Sequence, residues 1–200
     1  RLNFRANLSQ KALNDKLTVT ANLATSRADA SKGFDDAFRY ATIHNPTSPV
    51  RDDNNPEYDK WDGYQQEVLF DYFNPVAIIE QNTNTQQDKS IAVNIRGDYA
   101  LTDDLSVGIF YSQQRSNEDE SWYYDKNSFF VGQNRNGLAR KFNREEEDQL
   151  FRLEANYNTS LAGNVDLKVL AGYEYQDFAF SGFSVQGGNF LSDAFGSNNL

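Results

Sequence analysis

"SIAVNIRGDYALTDDLSVGIFYSQQ", residues 90–114, is two alternating runs set back to back. Successive side chains of an extended chain point to opposite faces. Ile91, Val93, Ile95, Gly97 and Tyr99 therefore share one side, and Ala92, Asn94, Arg96, Asp98 and Ala100 the other. The pattern restarts at Leu105 after a polar break at Leu101–Asp104, which predicts a hairpin. Its apolar side could meet the core of a water-soluble sandwich, or it could meet lipid while the polar side lines a wet interior. Alternation alone does not choose between these.

The same period recurs on either side of this stretch. Strands are predicted over residues 2–9, 16–28, 89–100, 105–115, 147–158 and 164–177, paired by short turns within each of three hairpins. Between them lie aperiodic stretches at 29–88, 116–146 and 178–200, expected to be long loops. The first holds all four prolines and many Asn and Asp residues. Loops of that length are unusual inside a compact domain.

Two features of the layout favour lipid. The runs last about 9 to 13 residues, against the 5 or 6 usual in soluble domains. Ten extended residues tilted near 45° climb roughly 24 Å, the height of an outer-membrane barrel's apolar band. Connections also alternate short and long, which in an up-and-down meander gathers every tight turn at one end and every long loop at the other. A soluble sandwich has no reason to sort its loops in this way.

The charges follow one phase. Arg5, Arg96, Asp98, Arg152, Glu154, Asp166, Lys168 and Glu174 all fall on the polar side. Arg or Lys facing hydrocarbon at mid-depth would cost about 2–4 kcal/mol, a cost that a water-filled interior removes. Tyr99, Tyr157, Tyr173 and Tyr175 lie toward predicted strand ends, where aromatic girdles sit. The fold class expected is all-β: an antiparallel up-and-down meander of about six long strands, part of a larger transmembrane β-barrel with long extracellular loops.

Composition excludes other classes. A net charge of −10 and scattered basic residues argue against nucleic acid as a partner. There is no Cys, so no disulfide framework or thiolate chemistry. A mean hydropathy of −0.74 accompanies the lack of any apolar stretch near the roughly 20 residues a membrane-crossing helix needs. Barrel strands escape that test, because they are apolar on alternate residues only. The chain starts at Arg1 in mid-pattern and is expected to be an excerpt of a larger barrel. Six strands alone would leave two open edges and a greasy face.

"NPTSPV" at 45–50 and "NPVAIIEQ" at 74–81, between the second and third strands, resemble the SusC/RagA-type TonB-dependent transporters of the Bacteroidota outer membrane. "RLNFRANLSQKALNDKLTVTANLATS" at 1–26 resembles an early barrel hairpin of that family, and "GYEYQDFAFSGFSVQGGNFLSDAFGSNNL" at 172–200 a later strand leading into an outer loop. The residues carrying the loop motif are Asn45, Pro46, Asn74, Pro75, Glu80 and Gln81. The resemblance covers essentially the whole chain. It implies a 22-stranded barrel in the outer membrane of a Gram-negative bacterium of the Bacteroidota type. It also implies a plug domain lying outside these residues, a SusD-type surface lipoprotein as lid, and energy from a TonB complex acting through the plug. The cargo implied is an oligosaccharide or, in some members, a peptide. The alternatives are a secreted all-β carbohydrate-binding module and an outer-membrane barrel that does not transport.

Candidate contact residues sit in the predicted loops. "WDGY" at 61–64 and "SWYY" at 121–124 hold both tryptophans beside tyrosines, giving Trp61, Tyr64, Trp122, Tyr123 and Tyr124 as candidates for substrate or lid contact. Aromatic faces stack on sugar rings and anchor protein interfaces; packing of the loops against one another is the competing reading. Asn45-Pro46 and Asn74-Pro75 are expected to shape the long loop. "RDDNNPEYD" at 51–59 lacks the Gly and terminal Glu of an EF-hand loop, and "REEED" at 144–148 is a plain charge run, so no metal site is expected. His44 is the only histidine, which leaves no triad and no zinc cluster. Glu118 and Glu120 are alternate acids in a polar loop. No catalytic residue, no enzymatic activity and no cofactor are assigned.

Overall fold

A computed structural model describes residues 1–161 and 165–200. Six strands form one antiparallel sheet in chain order, an up-and-down meander: β1 (Leu2–Ala12), β2 (Leu17–Lys32), β3 (Asn82–Ala100), β4 (Leu105–Tyr124), β5 (Leu138–Leu161) and β6 (Val165–Gly188). Two helices, α1 (Asp35–Ile43) and α2 (Pro75–Gln81), lie between β2 and β3. No helix among the described residues is long and apolar enough to cross a membrane, which says nothing of strands.

The strands outrun the alternation that predicts them. β2 continues to Lys32 instead of ending at 28, β3 begins at Asn82 instead of 89, and β4 runs to Tyr124 instead of 115. β5 begins at Leu138 instead of 147, and β6 runs to Gly188 instead of 177. The loops expected at 29–88, 116–146 and 178–200 are correspondingly shorter. Period-2 hydrophobicity reports a strand with one apolar face. Where neither face meets an apolar neighbour the ladder continues and the signal disappears.

The chain divides into two compact units, Arg1–Ala28, Asp88–Asn117 and Arg144–Ser181 forming the first, and Asp29–Gln87, Glu118–Asn143 and Gly182–Leu200 the second. The described residues of the first are all in strands and tight turns. β1 pairs with β2 from Leu2↔Arg27 to Ala12↔Leu17, so Phe4, Ala6 and Leu8 sit beside Thr25, Leu23 and Ala21 on one face. The β1–β2 turn places Leu13, Asn14 and Asp15 in left-handed backbone and closes with Lys16 N–H donating to the Leu13 carbonyl at 3.3 Å. The β3–β4 turn falls at the predicted Leu101–Asp104, where the Thr102 hydroxyl accepts from the Leu105 amide at 3.0 Å. The turn expected between β5 and β6 lies in part at residues 162–164, outside the described residues.

The second unit has a core of its own. Phe34, Ala37, Tyr40 and Ile78, contributed by α1 and α2 and the residue before α1, are buried together, with Phe73, Trp122, Tyr124 and Phe130 packed around them. Their rings meet at angles: Tyr40 is edge-on to Phe73 at 5.0 Å, and Phe73 edge-on to Phe130 at 5.2 Å. These are the tilted geometries that ring quadrupoles favour.

Candidate functional site

In the first unit the two sequence phases separate onto two faces. Ile91, Ile95, Ile109, Leu153 and Val169 are exposed and Val107 is half-buried, in a unit that holds neither a second sheet nor a helix among its described residues. An uncovered apolar face of this extent is not what a soluble monomer presents.

On the other face the charged residues meet in a chain. Arg96 binds Asp98 at 2.8 Å and reaches Glu154 on β5 at 3.2 Å. Arg152 binds Glu174 on β6 at 2.6 Å, lies 3.6 Å from Glu154, and places its guanidinium 6.0 Å from the Phe110 ring centre. Ser112 and Asn94 bridge β4 and β3 at 2.6 Å. Gly108 makes room for this arrangement, since a Cβ there would stand 2.9 Å from Asp98 Oδ1 and 3.3 Å from Arg96 Nη2. These groups are partly wet, so each pair adds on the order of 1 kcal/mol or less. Their weight lies in setting which face can meet water.

In the second unit the sequence-predicted residues are brought together as a packed cluster. Asn74 is 1% exposed and saturated. Its Oδ1 accepts from the Val76 and Ala77 amides, capping α2, while its Nδ2 donates to the carbonyls of Val50 at 2.8 Å and Gln65 at 3.0 Å. Pro75 occupies the first helical turn, where its missing N–H costs nothing. Glu80 accepts from the Tyr64 hydroxyl, and Gln81 Nε2 donates to the Trp61 carbonyl at 3.1 Å. The two quoted motifs, "WDGY" and "NPVAIIEQ", are therefore halves of one staple. Asn45 acts locally: its Oδ1 accepts from the Thr47 amide at 3.1 Å, and its own N–H donates to the Tyr72 hydroxyl at 2.9 Å. Pro46 follows it, past the end of α1.

The aromatic candidates divide by burial. Trp61, Tyr64 and Tyr123 are 3–5% exposed, so as placed they pack and do not offer a ring face to a ligand. Trp61 donates from Nε1 to Gln133 Oε1 at 3.1 Å, sits edge-on to Phe129 at 5.1 Å, and has Lys60 Nζ 4.1 Å from its ring centre. Tyr64 carries the Arg51 guanidinium over its ring at 5.0 Å. Tyr123 donates to Asp193 and lies 6.2 Å from Phe190, whereas its neighbours Trp122 and Tyr124 join the α1–α2 core. Adjacent residues of a strand face opposite ways, so "SWYY" serves two separate packings. Trp122 is half-buried beneath Arg140, at 5.0 Å, and Tyr124 stacks at a tilt on Phe34 at 5.5 Å.

Burial raises the Tyr64 hydroxyl above the ordinary phenol value, with the Glu80 carboxylate adding to it, and burial likewise lifts Asp125. Asp71, half-buried in the loop, is held below the usual carboxylate range by the Tyr40 hydroxyl and then Arg39. No group of three or more His, Cys, Asp or Glu among the described residues is placed to hold a metal ion.

What the sequence reading does not single out is the segment before Asn74. Val68 is 73%, Leu69 58% and Phe70 100% exposed, and Phe38 on α1 is 79% exposed. Asp71 ties the end of this segment to α1 through Arg39 and Tyr40. Three consecutive apolar residues with no polar alternation were the available signal.

The fold is that of chains of the RagAB peptide transporter. One such solved structure is 17% identical and superposes with a TM-score of 0.67, covering 96% of this chain and 22% of that one. The RagAB peptide importer in its open-open state gives 17% identity and a TM-score of 0.73, covering 96% of this chain and 21% of that one. The present chain thus spans about a fifth of the length of these transporter chains. No protein-family model matches the chain, and no curated protein matches it.

Proposed function

We propose that this chain is a stretch of the barrel wall of an outer-membrane nutrient importer of the SusC/RagA type, TonB-dependent and 22-stranded when complete. The observation that carries the reading is the separation of phases. Arg96, Asp98, Arg152, Glu154 and Glu174 form one ion-paired face, while Ile91, Ile109, Leu153 and Val169 stay uncovered on the other. Hydrocarbon suits the second face and a wet lumen the first. The likeness to transporter chains supports the same conclusion.

In this reading the long loops are extracellular, and a SusD-type lipoprotein closes over them. The exposed Val68–Phe70 segment and Phe38 suit lid contact, and Trp122 and Tyr124 are only half-buried. Cargo is an oligosaccharide or a peptide. The peptide reading draws its support from the RagAB likeness, and the oligosaccharide reading from the family resemblance of the loop motifs. A TonB complex would act through a plug domain, to which no residue described above is assigned.

The test is deletion of the full-length gene, followed by growth on a panel of glycans and peptides as sole nutrients. Loss of growth on one class names the cargo, and undiminished growth on every member removes the transport reading. The barrel itself is tested separately by the purified full-length protein, which should require detergent and migrate faster unheated than boiled on a gel. A protein soluble and monomeric in plain buffer favours the carbohydrate-binding module instead.

A further inference from the structure

On the apolar face of the first unit, the three strands that bear Leu23, Ile91 and Tyr111 each turn basic or polar within a few residues. β2 carries Arg27, β3 Lys89 and β4 Arg115 and Asn117, all in the odd phase of those apolar side chains. The strands are level there: the Ser26 and Ser90 hydroxyls lie 2.7 Å apart, and Thr25 Oγ1 donates to the Ser90 carbonyl at 3.0 Å. Thr25, Arg27, Lys89, Ile91, Arg115 and Asn117 line one open depression of about 350 Å³.

The charges are arranged, not scattered. Arg115 is gripped by Glu147 at 2.8 Å and Glu145 at 3.4 Å, which fixes its guanidinium toward β5. Arg27 has interactions of its own, and its register partner is Leu2, with Phe4 beside Thr25 one pair further on. Lys89 is exposed, and no ion pair of its ammonium is found among the described residues. Arg115 is thus matched by carboxylates, and Lys89, beside Arg27, presents its charge at the edge of an uncovered apolar band, away from the tight turns. A ligand for this place needs a negative head and an apolar body below it. Lysine and arginine stems lie along apolar surface and present their charge at its margin.

We propose that this depression holds the net-anionic phosphomonoester head group of an outer-leaflet lipid, with Lys89 and Arg27 binding the phosphate and Ile91, Leu2 and Phe4 lying against the acyl chains. The proposal rests on the reading of the apolar face as lipid-facing. It adds a lipid site to the wall that the transport reading does not require.

The experiment uses the full-length transporter in neutral dodecyl maltoside, titrated with lipid A or with phosphatidylcholine and read by native mass spectrometry. The wild type should retain lipid A in preference to phosphatidylcholine. The double variant Arg27→Gln/Lys89→Gln should lose about tenfold in lipid A retention, Lys89→Arg should keep it, and Lys168→Gln, in the opposite phase, should leave it unchanged. Millimolar inorganic phosphate should not displace the lipid. Equal retention of both lipids by the wild type overturns the proposal, as does unchanged retention by the double variant. Full competition by inorganic phosphate overturns it in favour of a free-anion site. A double variant that does not fold leaves the wild-type preference and Lys89→Arg to decide. Failure of the barrel reading shows separately, as solubility without detergent.

Discussion

The two units hold together by different means. The first has almost no buried side chain among its described residues, and its order comes from strand pairing and from a partition of faces. The second buries Ile78, Asn74 and Ser128 almost completely and interlocks Tyr40, Phe73, Phe129 and Phe130. One is a wall whose apolar surface awaits a neighbour, and the other supplies its own interior. A solvent can complete the first but not replace the second.

The sharpest way to break this contrast is Ile78→Ala. Ile78 is 1% exposed at the centre of the α1–α2 core, and such truncations cost about 2–5 kcal/mol. In the folded full-length protein, hydrogen exchange should show protection lost over residues 34–81 and retained in the first unit's strands. Uniform loss across both units would show that they do not open separately.

The first unit answers to a change of phase. Val107→Arg places a cation on the apolar face, at about 2–4 kcal/mol near mid-depth, whereas Ser106→Arg places it on the polar one at little cost. Urea titration of the full-length protein refolded into lipid vesicles reads the difference. Equal effects at the two adjacent positions would mean that lipid does not cover Val107.

Legibility follows the same division. Ile91–Tyr99 and Leu105–Tyr111 show their strands because one face is apolar and the other polar, and the Leu101–Asp104 turn falls where the alternation breaks. From Gln113 to Ser121 on β4 and from Lys141 to Gln149 on β5 the odd positions are polar too, so Ser116–Tyr124 and Leu138–Glu146 read as loop although they are strand. α1 is hidden because its buried face is only Ala37 and Tyr40. The staple of Trp61 with Gln81 and Tyr64 with Glu80 joins two motifs that were each visible alone. Their pairing depends on the left-handed turn at Asp62 and Gly63, a matter of tertiary geometry. Exposure is equally illegible: Trp61 and Phe70 look alike in sequence, and they lie at opposite extremes of burial.

The two Asn-Pro pairs offer a finer comparison within the second unit. Asn74→Ala removes a helix cap and the buried side-chain donor of the Gln65 carbonyl, while the Val50 carbonyl keeps the Gln65 amide, for about 1–3 kcal/mol. Asn45→Ala removes only an exposed turn contact to Thr47 and should cost under about 1 kcal/mol. Protease susceptibility of residues 50–74 in the folded protein checks the ranking. If Asn45 proves the costlier, the hub is misassigned.

The smallest effect separates two carboxylates of the same unit. Asp71 is held below its ordinary pKa by Tyr40 and Arg39, so its contribution is full above the unfolded value of about 4 and disappears as pH falls through its lower folded value. Asp125 is raised by burial, with Asp193 and Asp62 adding to it while the Asn127 amide opposes. Its ionisation therefore works against the fold above its folded value, and that opposition is relieved as pH descends toward the unfolded one. Local stability of the second unit, followed by hydrogen exchange, should rise slightly on acidification from neutral pH and fall below about pH 4. Asp125→Asn should flatten the upper limb alone, and Asp71→Asn the lower limb alone. The first unit's strands should show neither limb from these substitutions, because both carboxylates act on the fold that supplies its own core.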